Sequence, residues 1–90
     1  MITQSPSGLF TLAEFKREGV GPHDDYHFCW WVHAKAKGLA AALGRRITHT
    51  VPGETAGIIE TAAEVLWKDA GWARGQVARL EGEASARRAA

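Results

Sequence analysis

His23, His27, Cys29 and His33 lie in one stretch, HDDYHFCWWVHAKAKGLAAALG at residues 23–44. Imidazoles beside a thiol suit two chemistries. They ligate zinc, which takes four N or S donors at tetrahedral corners. They also act as nucleophile and base, the thiolate attacking while the imidazole takes its proton. Spacing argues against both. On a helix, His23 and His27 share one face and Cys29 and His33 another, roughly a quarter turn or more away. Four ligands converge only if the helix starts late or His49 joins from elsewhere, and a two-histidine site would have to be bridged between chains. Cys29 falls in mid-helix, away from the helix N-terminus that lowers a thiol's pKa. Asp24 and Asp25 are adjacent and point apart, so they are no catalytic pair; they suit the positive end of a helix dipole. The glycines fall at turns and helix ends, with no phosphate-cradling loop. The reading is non-enzymatic, with no metal and no cofactor.

The helix that carries these residues organises the chain. Pro22 suits its first turn, Lys35 and Lys37 lie toward its negative end, and Gly44 is a natural stop. Phe28, Val32, Ala36, Leu39 and Leu43 form one stripe, with Cys29 and Ala40 at its edge. Tyr26, Trp30, His33 and Lys37 form a second line on nearly the opposite side. Either the helix is buried on both sides, or the second line is an aromatic surface for a partner.

Composition bounds the rest. Ninety residues, 46% of them hydrophobic, make one small folded domain. Alanine and glycine are frequent and β-branched residues few, so the class is mostly α, a bundle of three to four helices. A net charge of +1 gives no global field to draw in nucleic acid or an anionic membrane. With one cysteine and neither a signal peptide nor a spanning segment, the sequence reads as a reduced cytoplasmic protein.

The remaining segments pack around that helix. Residues 1–8 read as a loose N-terminal arm. Thr11 and Glu14 form a capping box, and Phe10 and Phe15 a hydrophobic staple, so a short helix starts there and ends at Gly19. RRITHTVP, residues 45–52, reads as an extended connector, with a short strand at 46–51 as the alternative. Residues 54–70 are amphipathic, with Ile58, Ile59, Ala62, Val65 and Leu66 on one side and Glu60, Glu64 and Lys68 on the other. Gly71 ends that helix. Another begins at Trp72, with Val77, Leu80 and Ala84 as its stripe, and residues 85–90 read as a frayed basic tail.

AEVLWKDAGWARGQVARLEG, residues 63–82, resembles a helix-turn-helix unit. Gly71 stands at the turn, Leu66 and Ala70 precede it, and Val77 and Leu80 anchor the second helix. The resemblance implies DNA contacts by Arg74, Gln76 and Arg79. Trp67 departs from it where a small residue belongs, and Ala73 where a Ser or Thr cap belongs.

Four tryptophans favour a different partner. Those left at the surface are natural anchors for another protein. The function expected is a small protein-binding module: an adaptor, an inhibitor or a dimerising subunit. Its binding residues are Tyr26, Trp30, Trp31, His33, Lys37 and Trp72, and its partner is another protein or a second copy. In its motif-free, aromatic-rich make-up it resembles small phage- or plasmid-type inhibitors. The alternative is a helix-turn-helix DNA-binding regulator. Whether Trp30 and Trp31 are core or interface is left to the tertiary structure.

Overall fold

The structure, a computed structural model, describes residues 1–19, 21–47 and 53–89. It is a small α-helical protein of three helices: α1 at Leu12–Arg17, α2 at Asp25–Ile47 and α3 at Gly53–Ala89. Its longest dimension, 56 Å, is the length of α3, whose 37 residues rise about 1.5 Å each.

Local signals set α1. Thr11 Oγ1 accepts the Glu14 N–H at 3.3 Å and contacts the Glu14 carboxylate at 3.2 Å. Phe10 and Phe15 are buried on either side of this cap, and Gly19 ends the turn at φ +72°. Asp24 starts α2: its Oδ1 accepts the His27 N–H at 2.8 Å, and its carbonyl accepts the Phe28 N–H. That His27 N–H holds the Asp24 carboxyl below its ordinary value.

α2 and α3 form an antiparallel hairpin. In α3 the buried apolar positions are Ala63, Leu66, Ala70, Ala73 and Val77, in alternating steps of three and four. The partly buried Ala56, Ile59, Leu80 and Ala84 extend that spacing in both directions. From α2, Phe28, Cys29, Val32, Ala36 and Ala40 are buried. Much of this seam is alanine, so the two backbones can come close.

Several expectations are corrected here. The helix does not end at Gly71 but runs through Gly71, Gly75 and Gly82 to Ala89. The helix-turn-helix unit at 63–82 therefore does not form, because one seam buries side chains on both sides of Gly71. Each mid-helix glycine costs about 1 kcal/mol relative to alanine, against roughly 1.5–3 kcal/mol from burying a side chain such as Val77. Residues 85–89, expected to fray, continue α3. α2 likewise passes Gly44 and takes in residues 45–47; the rest of the connector at 45–52, and of its strand alternative at 46–51, lies outside the described residues. The core stripes are also rotated from those expected. Leu39 is 51% exposed and Ile58 71%, while Cys29 and Ala40 are buried.

The last correction concerns residues 1–8, which are not loose. Gln4 bridges Thr11, Ser5 N–H donates to the Phe10 carbonyl at 2.9 Å, and Ile2 N–H donates to Asp25 Oδ1 at 2.9 Å. Gly8, at φ +79°, makes the reversal that side chains other than glycine rarely adopt. The arm and α1 together form a third layer over part of one side of the hairpin.

Candidate protein-binding surface

The third layer is held by one buried carboxylate. Asp69, on α3, is 1% exposed. It accepts Ser5 Oγ–H at 2.9 Å, Ser7 N–H at 3.2 Å and, at close range, Ser7 Oγ–H. Ser5 Oγ in turn accepts the Phe10 N–H at 3.3 Å. Among the described residues no buried side-chain N or O lacks a partner. A buried carboxylate is costly unless hydrogen-bonded, and here the arm supplies the bonds. Sequence reasoning passed over Asp69, whose partners lie 62 and 64 residues away. The Ser-Pro-Ser-Gly turn was the only signal, and it does not name its acceptor.

Apolar contacts complete the layer. Trp31 stacks on Phe28 at 5.9 Å between centroids, meets Phe15 at 5.4 Å and takes the edge of Phe10 at 6.0 Å. Its Nε1–H donates to Glu18 Oε2 at 2.9 Å, and Lys35 pairs with the same carboxylate at 3.4 Å. Trp31 thus joins α1 to α2, away from the Tyr26–Lys37 line.

That line faces α3 over much of its length. The Arg74 guanidinium sits over Trp30, 5.1 Å from the ring centroid. His33 Nδ1–H donates to the Ala70 carbonyl at 3.2 Å. Tyr26 and Trp30 meet edge to face at 6.4 Å, and Tyr26, Trp30, Trp31 and Trp72 all pack partly buried against the core. Lys37 is exposed. The six expected binding residues therefore do not form one open aromatic surface.

The three residues expected to read DNA are engaged within α3. Arg74 also pairs with Glu81 at 3.8 Å. Arg79 bonds Gln76 through Nε at 3.0 Å and Glu83 through Nη1 at 2.8 Å.

The residues considered for chemistry are also separated. Burial, helped by the Asp25 charge, pushes the Cys29 thiol up to about 11, the opposite of an activated nucleophile. His27 Nδ1 pairs with Asp24 at 2.7 Å, and His23 packs against Phe15. Among the described residues no three His, Cys, Asp or Glu side chains gather as a metal site; His49 lies outside them. Nor is any described helix long and apolar enough to cross a membrane.

Among the described residues an apolar surface stays open on the side that carries the third layer. Along α2, Trp31 and Lys35 lie under α1, and Leu39 follows one turn on. Along α3, Asp69 lies under the arm; Val65, Ala62 and Ile58 follow on the same side in steps of four, three and four. The arm and α1 cover the first part of this groove and leave the second bare. Ile58, Ala62 and Val65 line a shallow depression there with Gly57 and Thr61. Met1, Leu9 and Trp67 are further large side chains left outside the core. No protein-family model, no curated protein and no solved structure matches this chain.

Proposed function

We propose that this chain is a non-enzymatic protein-binding module that docks an amphipathic helix of another protein in the uncovered part of the groove between α2 and α3. The observation that carries the reading is the exposure of Leu39 and Ile58, 51% and 71%, in line with the third layer. Exposed apolar surface of this kind marks interaction sites. α1, a short amphipathic helix packed on α2 through Phe15 and Trp31, is the pattern for such an occupant. A partner helix seated beyond it would continue the same layer, as in helix-in-groove recognition. Small residues at Gly57, Thr61 and Ala62 leave room for its backbone. The raised Cys29 thiol and the dispersed histidines support a binding role over catalysis.

The test is site-specific cross-linking from position 58 in nuclease-treated host lysate, with the captured peptide identified by mass spectrometry. The expected product joins position 58 to an amphipathic helical segment of one protein, and Leu39→Asp removes it while helicity is unchanged. Capture that is indifferent to Leu39→Asp, or of nucleic acid alone, rejects the reading.

A further inference from the structure

α3 outruns its partner helix. The contacts of His33 with Ala70 and Trp30 with Arg74 set the antiparallel register, which puts Asp25, the first residue of α2, level with Arg79. Residues 80–89 therefore project past α2 by about 15 Å. The seam spacing continues onto this projection: Leu80 and Ala84 are half-buried along an open cleft of about 830 Å³, whose other wall includes Asp25 and Tyr26. Charge along the cleft is segregated. Three carboxylates, Asp24, Asp25 and Glu81, stand at its inner end beside His23 and the Met1 amine, and Arg87 and Arg88 stand at its outer end. Among the described residues Arg87 and Arg88 make no ion pair.

We propose that a second copy of this chain occupies the cleft, the two α3 ends pairing antiparallel about a two-fold axis at Ala84. A two-fold contact must be self-complementary, and this charge pattern is. Glu81 and Arg87 lie three residues either side of Ala84, so each Arg87 faces the partner's Glu81. Arg88, one residue further out, is carried toward the acidic start of the partner's α2. At the axis a residue meets its own copy, and Ala84 is small enough to allow it. Leu80 loses the rest of its exposure against the partner helix. A contact of this length falls short of the roughly 800 Å² per partner of a stable interface. The dimer is therefore weak and weakens further with salt. It lies at the opposite end of the hairpin from the groove around Ile58, so the two proposals fail separately.

Sedimentation equilibrium of the full chain at rising concentration tests the pairing. The apparent mass should climb from monomer toward dimer at low salt, and Arg87→Glu with Arg88→Glu should hold it at monomer with helicity unchanged. A second measurement uses the axis. Under mild oxidation Ala84→Cys should form a disulfide-linked dimer about tenfold faster than the control Ala78→Cys, since the two-fold raises the local concentration of its thiol. Cys29 is buried and does not compete. A chain that stays monomeric at every concentration, a dimer that survives the double arginine reversal, or equal rates at 84 and 78 overturns the proposal.

Discussion

The two halves of the hairpin share helices and seam but differ in what lies over them. Beside Trp31 and Asp69 a third layer covers the groove and encloses an aromatic cluster, Phe10, Phe15 and Phe28 each 6% exposed or less, while Met1 and Leu9 stay on its outer side. Beside Leu39 and Ile58 no described residue covers it, and large side chains stand in solvent. The seam supplies the rod, while the third layer decides which flank is core and which is surface. Its placement depends on a buried carboxylate and two serines together with the aromatic cluster.

The largest effect that would sharpen this contrast is cavity formation on the covered side. Phe15→Ala should cost about 3–5 kcal/mol in urea denaturation, since it empties the centre of the aromatic cluster. Leu39→Ala and Ile58→Ala should each stay within about 0.5 kcal/mol of the parent. Equal losses at the two sites would mean that the open groove is covered in solution.

An intermediate effect isolates the latch. Asp69→Ala leaves the Ser5 hydroxyl and the Ser7 amide without their acceptor and should cost about 1–3 kcal/mol. Amide hydrogen exchange at Ser7 and Leu12 should speed up, while amides in the α2–α3 seam keep their protection. Uniform loss of protection would instead make the arm and hairpin one cooperative unit.

The smallest effect has the opposite sign. Gly71 sits in mid-helix, and a methyl group there meets nothing within 4 Å. Gly71→Ala should therefore stabilise the chain by about 0.5–1 kcal/mol, read as a rise in melting temperature. A fall would restore the turn at Gly71 that a helix-turn-helix unit requires.

These contrasts show what could be read early. The Thr11–Glu14 cap, the Phe10–Phe15 staple and the acidic start of α2 join residues a few positions apart, so their chemistry is visible in a short window. The α-helical class was legible for the same reason. The candidate groove was not. The periodicity puts Leu39 in the core and Ile58 on the buried side of its helix, because a 3.6-residue stripe over alanine-rich sequence tolerates rotation by one position. Ala36 and Ala40 lie on or beside the expected stripe, but the alanines at 63, 70 and 73 carry too little hydrophobic signal to show that they, and not larger neighbours such as Ile58, form the seam.

By itself the sequence determined the helical class and the start and stop of α1, through interactions within about one helical turn. α2 starts at Asp25, leaving Pro22 and His23, expected in its first turn, outside the helix. Only the tertiary structure decided that α3 passes Gly71, that residues 1–8 dock, and that the Tyr26–Lys37 line turns toward α3. Each of these depends on a partner far along the chain: the α2 seam for Gly71, Asp69 for Ser5 and Ser7, and Arg74 and the Ala70 carbonyl for Trp30 and His33. The local preference of a glycine or a polar arm amounts to about 1 kcal/mol, and burial against a distant element outweighs it.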